Sequence, residues 1–293
     1  MDLSAKSIAG HIASIKTDTL SPLLNPKAGS SFDIAQLASG YINSQSGLTG
    51  VAGVDTIPGL SAIGRNMTLS DPESAYKMMT DINRRSVEYK AQYAALSDMQ
   101  TGVGQLSQAA EQLGEITATS SFATVKSQLQ RFADQYNSWR REFDTDSQDP
   151  ELLGNTQAAQ AARHTLQASI SNPFHGANQG LQGLAALGLE IDPVTQMAKL
   201  DVAKFEQTWA QQPANAATAI NDFSSHFSAA AKLLSANGNF FQKQLSNLDR
   251  AIDYIQSNQS ALQAEFGLGD PPKLSNRLSQ ALAEYQKIQT AFT

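Results

Sequence analysis

A chain of 293 residues is long enough to bury a real core in one or two domains. Its net charge of −6, with 16% charged residues and no run of Lys or Arg, excludes nucleic acid as a partner, because phosphate binding needs clustered cations. The absence of cysteine excludes disulfides, thiolate metal sites and Cys nucleophiles together.

Aromatic residues make up 7% of the chain and Ala, Gln and Ser are abundant, a composition suited to long helices that pack on other helices. The densest basic pair, Arg140-Arg141, is followed at once by Glu142 and reads as a solvated helix face. Met1 to Lys6 lead into no continuous apolar segment of the length a cleavable signal needs, and no apolar run is long enough to span a bilayer. An extracellular location would therefore require export without a cleavable signal peptide.

Residues 1–69 alternate short apolar groups with Gly, Ser and Thr and are expected to be a flexible N-terminal segment. Two patches in it, Ile8, Ile12 and Ile15, then Ile34, Leu37, Tyr41 and Ile42, could become helical on a partner. Ser70-Asp71-Pro72-Glu73 is a strong helix start, with Ser70 as the cap, Pro72 where no N–H is needed and Glu73 closing a capping box. From there Ala75, Met79, Ile82, Tyr89, Tyr93, Leu96, Met99, Val103, Leu106, Ala110 and Leu113 recur mostly in steps of three and four. Only Gly102, Gly104 and Gly114 weaken the run. A helix of some forty residues would be about 60 Å long, too long for the core of one compact domain, and reads as a coiled-coil strand or bundle spine over 70–120.

A helical body is expected over 121–238. Phe122, Val125, Leu129, Phe132, Tyr136, Trp139 and Phe143 form an aromatic-rich core stripe. The acidic turn from Asp144 to Pro150 lacks the central Gly and terminal Glu of a calcium loop. A third helix covers about Asn155 to Ser171 and stops at Asn172-Pro173. Alternation in Leu187 to Asp192 and Met197 to Asp201, around a turn at Pro193 to Gln196, predicts a hairpin near 187–201. A short helix with Phe205 and Trp209 and a longer one to Ser235 follow. Heptads return over 239–293: Phe241, Leu245, Leu248, Ile252, Ile255, Leu262 and Phe266, then Leu274, Leu278, Ala281, Tyr285, Ile288 and Phe292 after a Gly-Pro break. The fold class is mainly α: an elongated bundle or coiled coil of the N- and C-terminal long helices, with a small helical body containing one β-hairpin.

Chemistry-bearing patterns are sparse. His11, His164, His175 and His226 lie in unrelated contexts, with no pair at helical metal-site spacing. Nucleophile elbow, phosphate loop and dinucleotide fingerprint are all missing from the sequence. No catalytic residue, metal or cofactor is expected, and the chain reads as a non-enzyme. The functional residues are expected to be the helix-seam packing positions Ile82, Tyr89, Tyr93, Leu96, Val103, Leu106, Phe241, Leu245, Leu248, Ile252, Ile255 and Leu262.

Four pieces from Ser121 onward resemble the flagellar hook-associated protein 2 family, which caps the growing filament. Phe132 to Asn137 resembles its Tyr-Asn motif, and Glu151 to Asn155 its Leu-Leu-Gly-Asp helix entry. Leu184 to Asp192 with Leu200 to Phe205 is similar to its hairpin, and Gln212 to Ala216 to its Asn-Pro segment. Two departures accompany these. Pro193 to Gln196 replaces the usual Asp-Gly at the hairpin turn, and Ile116 leads to Phe122 where family members carry large outer β-rich domains. The resemblance implies an exported axial protein of the bacterial flagellum that keeps the legs of a cap without its plate. Its partners would be further copies of itself, other axial proteins and an export chaperone. A cytoplasmic helical adaptor that binds a flagellar or type III export component is the alternative.

Overall fold

The structure is a computed structural model that describes Ile57 and residues 59–291; the apolar patches expected between Ile8 and Ile42, and Phe292, lie outside the described residues. The fold is mainly helical with one small antiparallel hairpin, as the periodicities predict. In chain order it comprises α1 (Pro72–Leu113), α2 (Phe122–Asp144), α3 (Gln157–Ile170), β1 (Leu189–Ile191), β2 (Ala198–Leu200), α4 (Val202–Gln211), α5 (Pro213–Ser235), α6 (Phe240–Ser257), α7 (Gln259–Phe266) and α8 (Asn276–Ala291). Two compact units share the described residues, one from those up to Ala94 together with those from Leu245 on, and one from 95–244. The division falls inside α1 and inside α6.

Asp71, not Ser70, caps α1. Its Oδ1 accepts from the Ser74 N–H at 3.1 Å and its carbonyl accepts from Ala75, so Pro72 takes the first helical position. Glu73 closes no capping box because Arg65 holds it, Nε to Oε2 at 2.7 Å. The helix then runs 42 residues without a break.

In the first unit, α1 meets α6, α8 and the segment that follows α7. Ala94, Ile252 and Tyr285 form a buried cluster with Tyr89, Tyr93 and Ile288 against it, and Tyr93 meets Tyr285 edge-on at 5.8 Å. Towards the other end of this bundle, Asn83 Nδ2 donates to the carbonyls of Leu268 and Asp270, Tyr76 donates to Asp270, and the Asp270 N–H donates to Thr80. Pairing 94 with 252 and 80 with 270 sets α6 and α7 antiparallel to α1. Pairing 94 with 285 returns α8 parallel to it.

Three expectations for this unit need correction. Residues 59–69 are not a flexible tail: Leu60 bridges Asn66, Asn66 Nδ2 donates to the Ala264 carbonyl at 2.7 Å, and the Leu268 N–H donates to the Gly64 carbonyl at 2.8 Å. These polar bonds reach across some two hundred residues of sequence, where no local pattern announces them. The 241–266 heptad run breaks at Asn258, whose side chain donates back to the Tyr254 carbonyl and separates α6 from α7. Leu274 precedes α8 and is exposed; Leu282 takes a buried place on the helix beside Leu278 and Tyr285.

Lys90, on the α1 segment of this unit, is fully buried, and burial pushes its ammonium down to about 7. Between about pH 7 and the ordinary lysine value of 10.5, the unfolded chain keeps a proton that the folded chain has lost. Stability of this unit is therefore expected to rise with pH across that window. Denaturant titrations at pH 7 and 9.5 should show it, and Lys90→Met should flatten the difference.

In the second unit the aromatic stripe of α2 is core. Phe132 makes edge-to-face contacts with Phe223 and Phe227, both at 5.1 Å, while Phe205 stacks on Phe122 and packs on Trp209. Gly102 has a steric reason to be glycine: a Cβ there would meet Trp139 Cδ1 at 2.6 Å, whereas one at Gly104 would meet nothing within 4 Å. Gly104→Ala is accordingly expected to raise stability by about 1 kcal/mol and Gly102→Ala to lower it, both read from thermal melts.

Candidate functional site

The structure divides the predicted seam residues between the units. Ile82, Tyr89, Tyr93, Leu245, Leu248, Ile252, Ile255 and Leu262 belong to the first, and Leu96, Val103, Leu106 and Phe241 to the second. Nine of them are buried, and Ile82, Tyr89 and Tyr93 are half-buried. They make the cores of single-chain packing, so substitutions there act on the fold before any assembly. Large apolar side chains left exposed in the first unit are Ile63, Met67, Met78 and Leu274.

Asn137 makes a two-point polar contact in the second unit. β1 and β2 pair Leu189 with Leu200, Glu190 with Lys199 and Ile191 with Ala198. Asn137 Oδ1 accepts from the Ala198 N–H at 2.7 Å, and its Nδ2 donates to the Ala198 carbonyl at 2.8 Å. Its side-chain amide thus plays the part of a third strand at the outer edge of β2. The turn beyond is built by Asp192, whose Oδ1 accepts from Val194 N, Thr195 N and Thr195 Oγ1; these bonds hold its carboxyl below the usual range. They replace the missing Asp-Gly and leave Gln196 at a φ of 58°. Asn137→Ala is expected to cost about 2 kcal/mol and to speed hydrogen exchange at the Ala198 amide.

The turn from Asp144 to Asn155 also closes on itself. Leu153 N donates to the Asp146 carbonyl and Gly154 N to that of Asp149, while Leu152 and Leu153 are buried. Asp144 anchors Arg163 at 2.7 Å and approaches Arg140 at 3.8 Å. Beside these guanidinium groups lies fully buried Tyr136, whose phenol burial raises to about 12. These acids brace helix ends.

An open groove of about 780 Å³ runs between α1 and α2 within the second unit. Its floor includes Gly102, Leu106 and Trp139, and its rim Lys126, Arg131 and Glu142. Burial and the neighbouring Asp98 and Asp146 raise the Glu142 carboxyl.

The structure does bring two histidines together. His175 Nδ1 lies 3.3 Å from His226 Nδ1, although 51 positions separate them. No spacing rule could have found this pair, because a turn and a helix from different parts of the chain supply its members. Among the described residues no group of three or more His, Cys, Asp or Glu is arranged to hold a metal, and no helix is long and apolar enough to cross a membrane. Comparison of the chain with family models, curated proteins and solved structures gives no match.

Proposed function

We propose that the chain is a non-enzymatic structural protein of the bacterial flagellum, hook-associated and filament-cap-like, acting by helix packing in an axial assembly. The observation that supports this reading best is the Asn137 clamp. The Tyr-Asn motif and the hairpin, separate pieces in the sequence resemblance, are joined by two hydrogen bonds on one strand edge. The pairing of α1 with α6–α8 accords with it, since chain segments before and after the body build one helical bundle. Exposed Ile63, Met67, Met78 and Leu274 give that bundle apolar side chains for neighbouring subunits.

Fractionation tests the proposal. The protein is expected in the sheared flagellar or culture fraction, and to be lost from it when flagellar export is blocked. Retention in the cytosol, unaffected by that block, overturns the axial reading and favours an adaptor for an export component.

A further inference from the structure

α5 presents one face to the turn that carries His175, and each residue on that face has a task. Ala219 is the seat: a Cβ on Gly176 would meet the Ala219 Cβ at 2.5 Å, and Gly176 itself has a φ of 71°. One turn on, Asp222 Oδ2 accepts from the Gly176 N–H at 3.1 Å. Phe223 meets the His175 ring edge-on, with centroids 5.6 Å apart. His226, one further turn along, faces His175 nitrogen to nitrogen. Positions 219, 222, 223 and 226 are the i, i+3, i+4 and i+7 places of a single helix face.

The tautomer of His175 follows from its partners. Its Nε2 lies 3.0 Å from the Ser169 carbonyl, an acceptor only, so Nε2 carries the hydrogen and Nδ1 keeps its lone pair. Burial, above all, holds the ring below its ordinary pKa, with His226 adding to the effect against the Ser169 and Asp222 contacts. An imidazole that donates one N–H to a backbone carbonyl and aims the other nitrogen at a second imidazole is oriented as metal-bound histidines are.

The distances fit a metal ion as well. Two Zn–N bonds of about 2.0–2.1 Å at a tetrahedral angle place the nitrogens about 3.3 Å apart, and the ring centres about 5.2 Å apart. The observed separations are 3.3 Å between Nδ1 atoms and 5.2 Å between ring centroids. His226 is exposed, so solvent can complete the coordination sphere.

We infer that His175 and His226 form a two-histidine site for a borderline divalent transition metal, Zn²⁺, Co²⁺ or Ni²⁺, bound through both Nδ1 atoms with water in the remaining positions. Such an ion would pin the turn after α3 to the face of α5. The inference stands apart from the flagellar proposal and neither depends on the other.

Titration of the full chain with Co²⁺ alone, followed by visible absorption, and with Zn²⁺ alone, followed by calorimetry, tests it. One ion per chain is expected, with binding weakened more than about tenfold in His226→Gln and retained in His164→Ala. His226 is exposed, so its substitution should leave the fold intact, and an unchanged thermal melt of the metal-free variant verifies that. Long-range ¹H–¹⁵N spectra should show both Nδ1 resonances move on adding Zn²⁺. Absent binding, binding unaffected by His226→Gln, or a His226 Nδ1–H that persists in Zn²⁺ would overturn the site and leave a simple hydrogen bond between the rings.

Discussion

Ile252→Asp is expected to unfold the bundle built from α1, α6, α7 and α8. Ile252 is 1% exposed and sits with Ala94 and Tyr285, so the carboxylate would have no water to offset its desolvation, and Asp249 and Asp253 on the same helix carry charge of the same sign. Lost packing alone costs about 2–5 kcal/mol, and the buried acid adds to it. Leu248→Asp should act in the same direction, Leu248 being 4% exposed. Leu274→Asp, at an exposed position, should stay within about 0.5 kcal/mol of the parent. Circular dichroism melts and limited proteolysis of residues 245–291 would read the contrast. Equal melts for Ile252→Asp and the parent would refute the packing described for this unit. The same substitutions are poor probes of assembly, because the chain's own fold already uses these side chains.

Phe132→Ala should be the most damaging simple truncation in the second unit. Phe132 is buried and shares its ring edges and faces with Phe223 and Phe227. The loss is expected at about 4 kcal/mol, enough to lower the melting temperature of a unit of this size by roughly 10 °C. Both tryptophans, Trp139 and Trp209, belong to residues 95–244, so indole fluorescence follows this unit alone. Phe132→Leu should recover much of the loss, since the leucine refills part of the void. A variant whose fluorescence transition does not move would contradict the aromatic core.

Periodicity made the helices legible. The steps of three and four from Met79 to Leu113 and from Phe122 to Phe143 became α1 and α2, and two arms of alternation became β1 and β2. Those signals are local, written in the neighbours of each residue. The misreadings share another cause. Asp71 displaced Ser70 as cap because the proline beside it fixes the first helical position, and Arg65 removed Glu73 from the capping box. The loop from 59 to 69 is held by Asn66 and Gly64 through partners at 264 and 268, and Asn137 finds its strand at Ala198. Such bonds depend on where distant segments arrive. The His175–His226 contact is of the same kind, and heptad spacing contains no trace of it.

The division of the chain also fixes an order of events during synthesis. Residues 95–244 are continuous, so the second unit has all its parts once Gln244 has left the ribosome. The first unit cannot close until Tyr285 emerges to meet Tyr93, made long before. Until then, the early half of α1 carries Met79, Tyr89, Tyr93 and Ala94 with no α8 to cover them, and before Ser257 is made it has no complete α6 either. From the synthesis of Ala94 to that of Tyr285 a nascent chain thus carries one helical face waiting for its partners, the interval in which a holding factor would find something to hold.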